Sequence, residues 1–178
     1  MGAYIGGDVL YVESLCKRML ELEARAPTVA ELTGVPLYRV RKIAKDIGAP
    51  LRGGMLPAGR DWYTKYGSAQ HLWGSAFFAM YSHTKSKHVS APESMLFAYS
   101  TLSSHFSDGA NTTLDRAFHL LRLIDSGQLV SRTCRSCCAI YIVERLEIVN
   151  DKDHCPFCRA ANKHSHSRHR ATILAIAS

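Results

Sequence analysis

Apolar residues recur along the first two thirds of the chain at steps of three and four, the spacing that gathers side chains on one face of an α-helix. From Asp8 to about Arg25 the stripe is Val9, Val12, Leu15, Cys16, Met19 and Leu22. Three more segments follow the same rule: about 67–82 (Trp73, Ala76, Phe77, Met80, Tyr81), 92–106 (Met95, Leu96, Tyr99, Leu102, Phe106) and 112–126 (Leu114, Ala117, Phe118, Leu121, Ile124). Their ends are marked. Ser90 with Glu93, and Thr112 with Asp115, have the spacing of capping boxes, and Gly127 suits a left-handed C-terminal stop. The aromatic and methionine stripes read as core, and Cys16 reads as a small buried thiol on its stripe. This part of the chain predicts a helical bundle.

Two stretches break the pattern. Residues 48–62, GAPLRGGMLPAGRDW, hold too much glycine and proline for a helix or a central strand and predict an ordered loop, with Leu51, Met55, Leu56 and Trp62 docking on the bundle. Beyond residue 138 the run AIYIVERLEIV is rich in branched and aromatic residues and predicts a short β-hairpin.

Residues 26–46 carry a denser signal. In APTVAELTGVPLYRVRKIAK, Ala30 supplies a small residue at a helix crossing and Gly34 a turn. Val40 and Ile43 face back from a second helix that begins near Pro36, whose missing amide is no loss in a first turn. That is the layout of a DNA-binding helix-turn-helix. The outward positions of the second helix are Tyr38, Arg39, Arg41, Lys42 and Lys45, of which the cations can meet phosphates and an arginine can reach a guanine edge. A plain structural hairpin with a solvated basic face has the same apolar spacing.

Charge sharpens the picture once it is divided along the chain. The net charge is +7, yet residues 1–34 hold three basic and five acidic groups, and residues 66–130 balance at four and four. The excess sits in residues 35–65, with seven basic against two acidic, and in residues 131–170, with eight against four. An anionic partner such as nucleic acid fits both blocks. No run of 18 apolar residues and no signal-peptide layout is present in the sequence, so the expected setting is the cytoplasm, without a membrane partner.

In a reducing cytoplasm, clustered cysteines point to metal ligation rather than disulfides. Five of the six cysteines lie in CRSCCAIYIVERLEIVNDKDHCPFC. Cys134 with Cys137, and Cys155 with Cys158, form two C-x2-C pairs at a separation suited to one structural zinc ion per chain, since each pair makes a knuckle aiming two sulfurs at one ion. Cys138 is the surplus thiol, because only Cys137 matches the spacing of the second pair. Four thiolates leave no coordination position open for catalysis, and the zinc deaminase pattern is missing. With no phosphate-binding glycine loop and no nucleophile elbow, the sequence predicts no enzyme and no small-molecule substrate. Arg132, Arg135, Arg159 and Lys163 surround the cysteines as further candidate phosphate contacts. The tail KHSHSRHR, with His164, His166 and His169, is basic and histidine-rich.

The expected fold is therefore mainly α: a helical domain over 1–130 with its N-terminal helix-turn-helix, a zinc-ribbon-like four-cysteine module over 131–162, and a tail over 163–178. The order of motifs, with GMLPAGRDW (Gly54 to Trp62), LDRAFHLLRLIDSGQL (Leu114 to Leu129) and the C-x2-C pairs, resembles the bacterial flagellar transcriptional activator FlhC family over roughly residues 10–160. That resemblance implies a hetero-oligomer with the small helical protein FlhD. It also implies binding to promoter DNA of flagellar operons, recruitment of RNA polymerase, and zinc ligation by Cys134, Cys137, Cys155 and Cys158. Two rival readings are a zinc-stabilised scaffold subunit that does not itself read DNA, and a zinc-ribbon RNA-binding protein. The second lacks a visible stacking platform.

Overall fold

The first stripe forms α1 (Val9–Glu21), burying Val12, Leu15, Cys16, Met19 and Leu20. The computed structural model describes residues 9–54, 59–65, 67–103, 106, 112–146 and 155–162. Helix α1 stops short of Arg25 because Glu23 adopts a φ of 60°. The Glu23 amide then donates to Leu20 O (2.9 Å) and the Ala24 amide to Met19 O (3.1 Å), which satisfies the last carbonyls of the helix. Val9, the first residue of α1, is 49% exposed. Cys16 is fully buried, and its thiol donates to Thr33 Oγ1.

Next come α2 (Ala26–Thr33) and α3 (Leu37–Asp46). Gly34 turns the chain with a φ of 72°, its amide bonded to Ala30 O, and Val40, Ile43 and Ala44 face inward from α3. Pro36 is the residue before α3 rather than part of its first turn, with its carbonyl accepting from the amides of Arg39 and Val40. The loop that follows ends in α4 (Asp61–Thr64). Here Trp62 docks as expected, with the Arg116 guanidinium 4.3 Å from its ring, and the neighbouring Tyr63 is buried, its hydroxyl donating to Arg116 O at 2.9 Å. Leu51 does not dock and is 55% exposed; Met55 and Leu56 fall outside the described residues.

Helices α5 (Ala69–Lys85), α6 (Ala91–Ser103) and α7 (Leu114–Asp125) complete the bundle. The capping box at α6 is reciprocal: the Glu93 amide donates to Ser90 Oγ, while the Ser90 amide and hydroxyl both donate to the Glu93 carboxylate. At α7 the cap is Thr113, not Thr112, because the helix begins one residue later and Thr113 Oγ1 accepts from the Arg116 amide. Gly127 ends α7 with a φ of 71°, its amide bonded to Ile124 O and that of Gln128 to Leu123 O. Trp73, Phe77, Met95, Leu96, Leu114 and Leu120 are almost wholly buried in the centre. Each such side chain contributes about 1.5–3 kcal/mol.

The chain then forms an antiparallel hairpin, β1 (Leu129–Thr133) and β2 (Ile140–Glu144), with Ser131 opposite Ile142. This differs from the expected hairpin over 139–149. The first strand precedes Cys134, and the cysteine pair itself makes the turn, closed by the Cys134 amide on Ala139 O and the Cys138 amide on Cys134 O, both 2.9 Å. Strand β2 is buried on both faces. Ile142 enters the bundle core against Gly74 of α5, where any Cβ would lie 3.1 Å from Ile142 Cδ1, whereas Tyr141 and Val143 join Cys134 and Cys155 in a second, smaller cluster. Residues 156–162 form a further helix, α8.

Candidate metal centre and basic surface

The turn of the hairpin delivers Cys134 and Cys137, and the start of α8 delivers Cys155 and Cys158. Their four Sγ atoms all lie within 4.8 Å of one another. Cys134 Sγ is 3.7 Å from Cys158 Sγ, and Cys137 Sγ is 3.6 Å from Cys155 Sγ. Four sulfurs at about 2.3 Å from a tetrahedral ion stand about 3.8 Å apart, so the donor set fits a metal ion. Cys138 is outside this group. It is exposed, with a φ of 59°.

The thiols of the cluster differ electrostatically. The Cys137 backbone amide draws the Cys134 thiol down to about 7 against its burial, with the Ser136 amide adding to it at 3.4 Å from Sγ. Burial pushes the Cys155 and Cys158 thiols up, reinforced by the neighbouring sulfurs. A cation at the centre replaces those protons, so metal capture is coupled to thiol ionisation.

Behind the centre lies a contact that the sequence did not reveal. The His71 ring is 4% exposed; its Nε2 lies 2.8 Å from Ile142 O, and its Nδ1 lies 3.1 Å from an Arg159 guanidinium nitrogen. The carbonyl can only accept and the guanidinium can only donate, so Nε2 carries the proton and Nδ1 accepts. Arg159, read from the sequence as a candidate phosphate contact, is thus half-buried with its guanidinium on α5. Arg132 and Arg135 are exposed, and Lys163 lies outside the described residues. A second unforeseen group is Asp115 of α7, 4% exposed, whose Oδ1 accepts from the Thr28 hydroxyl (2.5 Å) and from the Arg25 amide (3.3 Å) at the start of α2. Nothing local marks either contact, since the partners are separated by 71 to 90 residues.

On α3, all five outward residues named from the sequence are exposed, with Tyr38 at 76%. They are not equivalent. Tyr38, Arg41, Lys42 and Lys45 line an open cleft of about 660 Å³ together with Gly48 and Leu51. Arg39 turns toward α1, where its guanidinium lies 3.9 Å from a Glu13 carboxylate oxygen.

Among the described residues no helix is long and apolar enough to cross a membrane. A family model for the flagellar transcriptional activator (FlhC) matches residues 11–171. The flagellar transcriptional regulator FlhC of Pectobacterium carotovorum is 28% identical over 154 residues, covering 84% of this chain and 79% of the relative. That of Xenorhabdus nematophila is 29% identical over 143 residues, 76% of this chain and 73% of the relative. That of Sodalis glossinidius (strain morsitans) is 30% identical over 134 residues, with shares of 72% and 67%. These relatives are regulators of transcription, not enzymes, and a closed four-sulfur centre suits such a role. The chain belongs to the FlhC family of flagellar transcriptional activators.

Proposed function

We propose that the chain is the DNA-binding subunit of a heteromeric activator formed with FlhD, acting in the cytoplasm on promoter regions of flagellar operons and bringing RNA polymerase to them. In this reading α2 and α3 are a helix-turn-helix with α3 as the recognition helix. One zinc ion per chain, held by Cys134, Cys137, Cys155 and Cys158, stabilises a module over 131–162 beside the helical domain over 1–130, with Ile142 of the module buried in the bundle core. The observation that carries the reading is the row of exposed cations on α3, Arg41, Lys42 and Lys45, in a chain of a transcription-regulator family. Arg132 and Arg135 add phosphate contacts, as does Lys163.

The zinc has a structural task. Among the described residues, the apolar cluster around it has Tyr141 and Val143 as its buried members besides cysteines, which supplies a few kcal/mol, roughly 3–6. A structural zinc site supplies about 10–16 kcal/mol at neutral pH. The ion therefore outweighs that small cluster.

The test is binding of a flagellar promoter fragment by the complex with FlhD. The double variant K42A/K45A is expected to lose affinity about tenfold or more while the complex stays assembled, and wild-type affinity is expected to fall steeply with salt as counterions are released. Unchanged DNA binding by the double variant would favour the scaffold reading, in which the partner alone reads DNA.

A further inference from the structure

The cations of α3 do not share a face. At 3.6 residues per turn, Tyr38, Arg41, Lys42 and Lys45 fall in one sector, while Arg39 and Asp46 project from the flank beside the buried Ile43. Arg39 lines a narrow crevice between α1 and α3 with Val12, Glu13, Val35 and Ile43, so its stem covers apolar side chains and its head reaches Glu13. The other oxygen of Glu13 is 3.6 Å from Lys17 Nζ on the next turn of α1. A phosphate approaching Arg39 meets the carboxylate of Glu13. In the open cleft, by contrast, Arg41, Lys42 and Lys45 make no ion pair among the described residues, and the exposed Tyr38 ring offers an apolar edge beside them.

We infer that the DNA-facing surface of the proposed recognition helix is the cleft of Tyr38, Arg41, Lys42 and Lys45, and that Arg39 is a positioning residue holding α3 against α1 through Glu13. This rests on the DNA-binding reading above. The occupant of the cleft is the phosphate backbone of duplex DNA, chosen by three cations on one helix face that make no ion pair among the described residues. Tyr38, on the first turn of α3, lies against the adjoining sugar or base edge.

The experiment measures binding of a flagellar promoter fragment by the FlhD complex across a salt series for wild type, R41A, K42A, K45A and R39A. Each cleft variant is expected to lower the steepness of the log–log salt dependence by about 0.9, one phosphate contact, while R39A keeps the wild-type slope. In parallel, R39E is expected to lower the thermal midpoint by about 1–3 °C, and the charge-swapped E13R/R39E to regain part of that shift. A slope loss in R39A equal to that in R41A overturns the inference. So does a steep wild-type slope that none of the three cleft variants reduces. Salt-independent binding by the wild type is a different result, which refutes the DNA-binding reading itself.

Discussion

Cys138 holds a φ of 59°, a conformation in which any Cβ crowds the following carbonyl, and it sits in the turn that places Cys134 and Cys137. A non-glycine residue there costs about 1–2 kcal/mol, part of which glycine gives back through its freer unfolded chain. Cys138→Gly is therefore expected to stabilise the metal-loaded protein by about 0.5–1 kcal/mol in thermal unfolding while one metal per chain remains by elemental analysis. Cys137→Ser, by contrast, is expected to lose the metal; retention there with loss in Cys138→Ser would exchange the two ligands. Asp115 acts over a longer range. Its carboxylate takes the Thr28 hydroxyl and the Arg25 amide, with Arg25 Nε at 3.6 Å from the other oxygen. Asp115→Ala strands these donors at a buried site and is expected to destabilise the fold by about 2–3 kcal/mol in denaturant unfolding. A change below about 0.5 kcal/mol would show that water replaces the carboxylate without loss.

At the scale of elements, helix ends were the most legible features, because a cap is built from residues three or four apart. Ser90 and Glu93 form the expected box, and Gly127 the expected stop, whereas the α7 cap moved by one residue because Thr113 offers the same hydroxyl as Thr112. The Ser90 hydroxyl, then that of Tyr11 on α1, hold the Glu93 carboxyl below its ordinary value of 4.5. A depressed value means that the contribution of Glu93 is complete above about pH 5 and is lost as the pH falls through the folded value. The stability gap between wild type and Glu93→Ala, followed by chemical denaturation from pH 6 downward, should shrink below about pH 4. A constant gap would show that the carboxylate charge is not what the cap uses. The hairpin was harder to place. The apolar run 139–149 advertised strands, but β2 pairs backward with Leu129–Thr133, since the cysteine turn supplies the closure and Leu129 and Ile142 both find burial in the bundle.

At the scale of the molecule, the described residues form two apolar centres of very unequal size, with β2 as the wall between them. The larger is built from the bundle and contains none of the four clustered cysteines. The smaller leans on the four sulfurs, so a strong chelator is expected to melt β1, β2 and α8 locally while the far-ultraviolet helical signal of the bundle largely persists. Hydrogen exchange can localise the change: protection lost over 129–144 and 155–162 and kept over α5 to α7 is the expected pattern. Uniform loss would mean that Ile142, wedged on Gly74, ties the two centres into one cooperative unit. The His71 to Arg159 contact is the polar counterpart of that wedge.

What the sequence determined by itself was what depends on spacing over a few residues: the helical stripes, the capping box of Ser90 and Glu93, the turn at Gly34, the left-handed stop at Gly127, and the two knuckles that select Cys137 over Cys138. These are set by the 3.6-residue turn and by the reach of a side chain to its own backbone. Only the tertiary structure decided which cations are free. Arg39, Arg41 and Arg159 look alike in a sequence, yet Glu13 draws the first to α1, the second faces an open cleft, and His71 draws the third inward. Asp115 likewise looked like part of a local cap, but it also closes the start of α2 from across the molecule. The partner of a charge is chosen by distances that packing sets between residues far apart in the chain, and no local period encodes those distances.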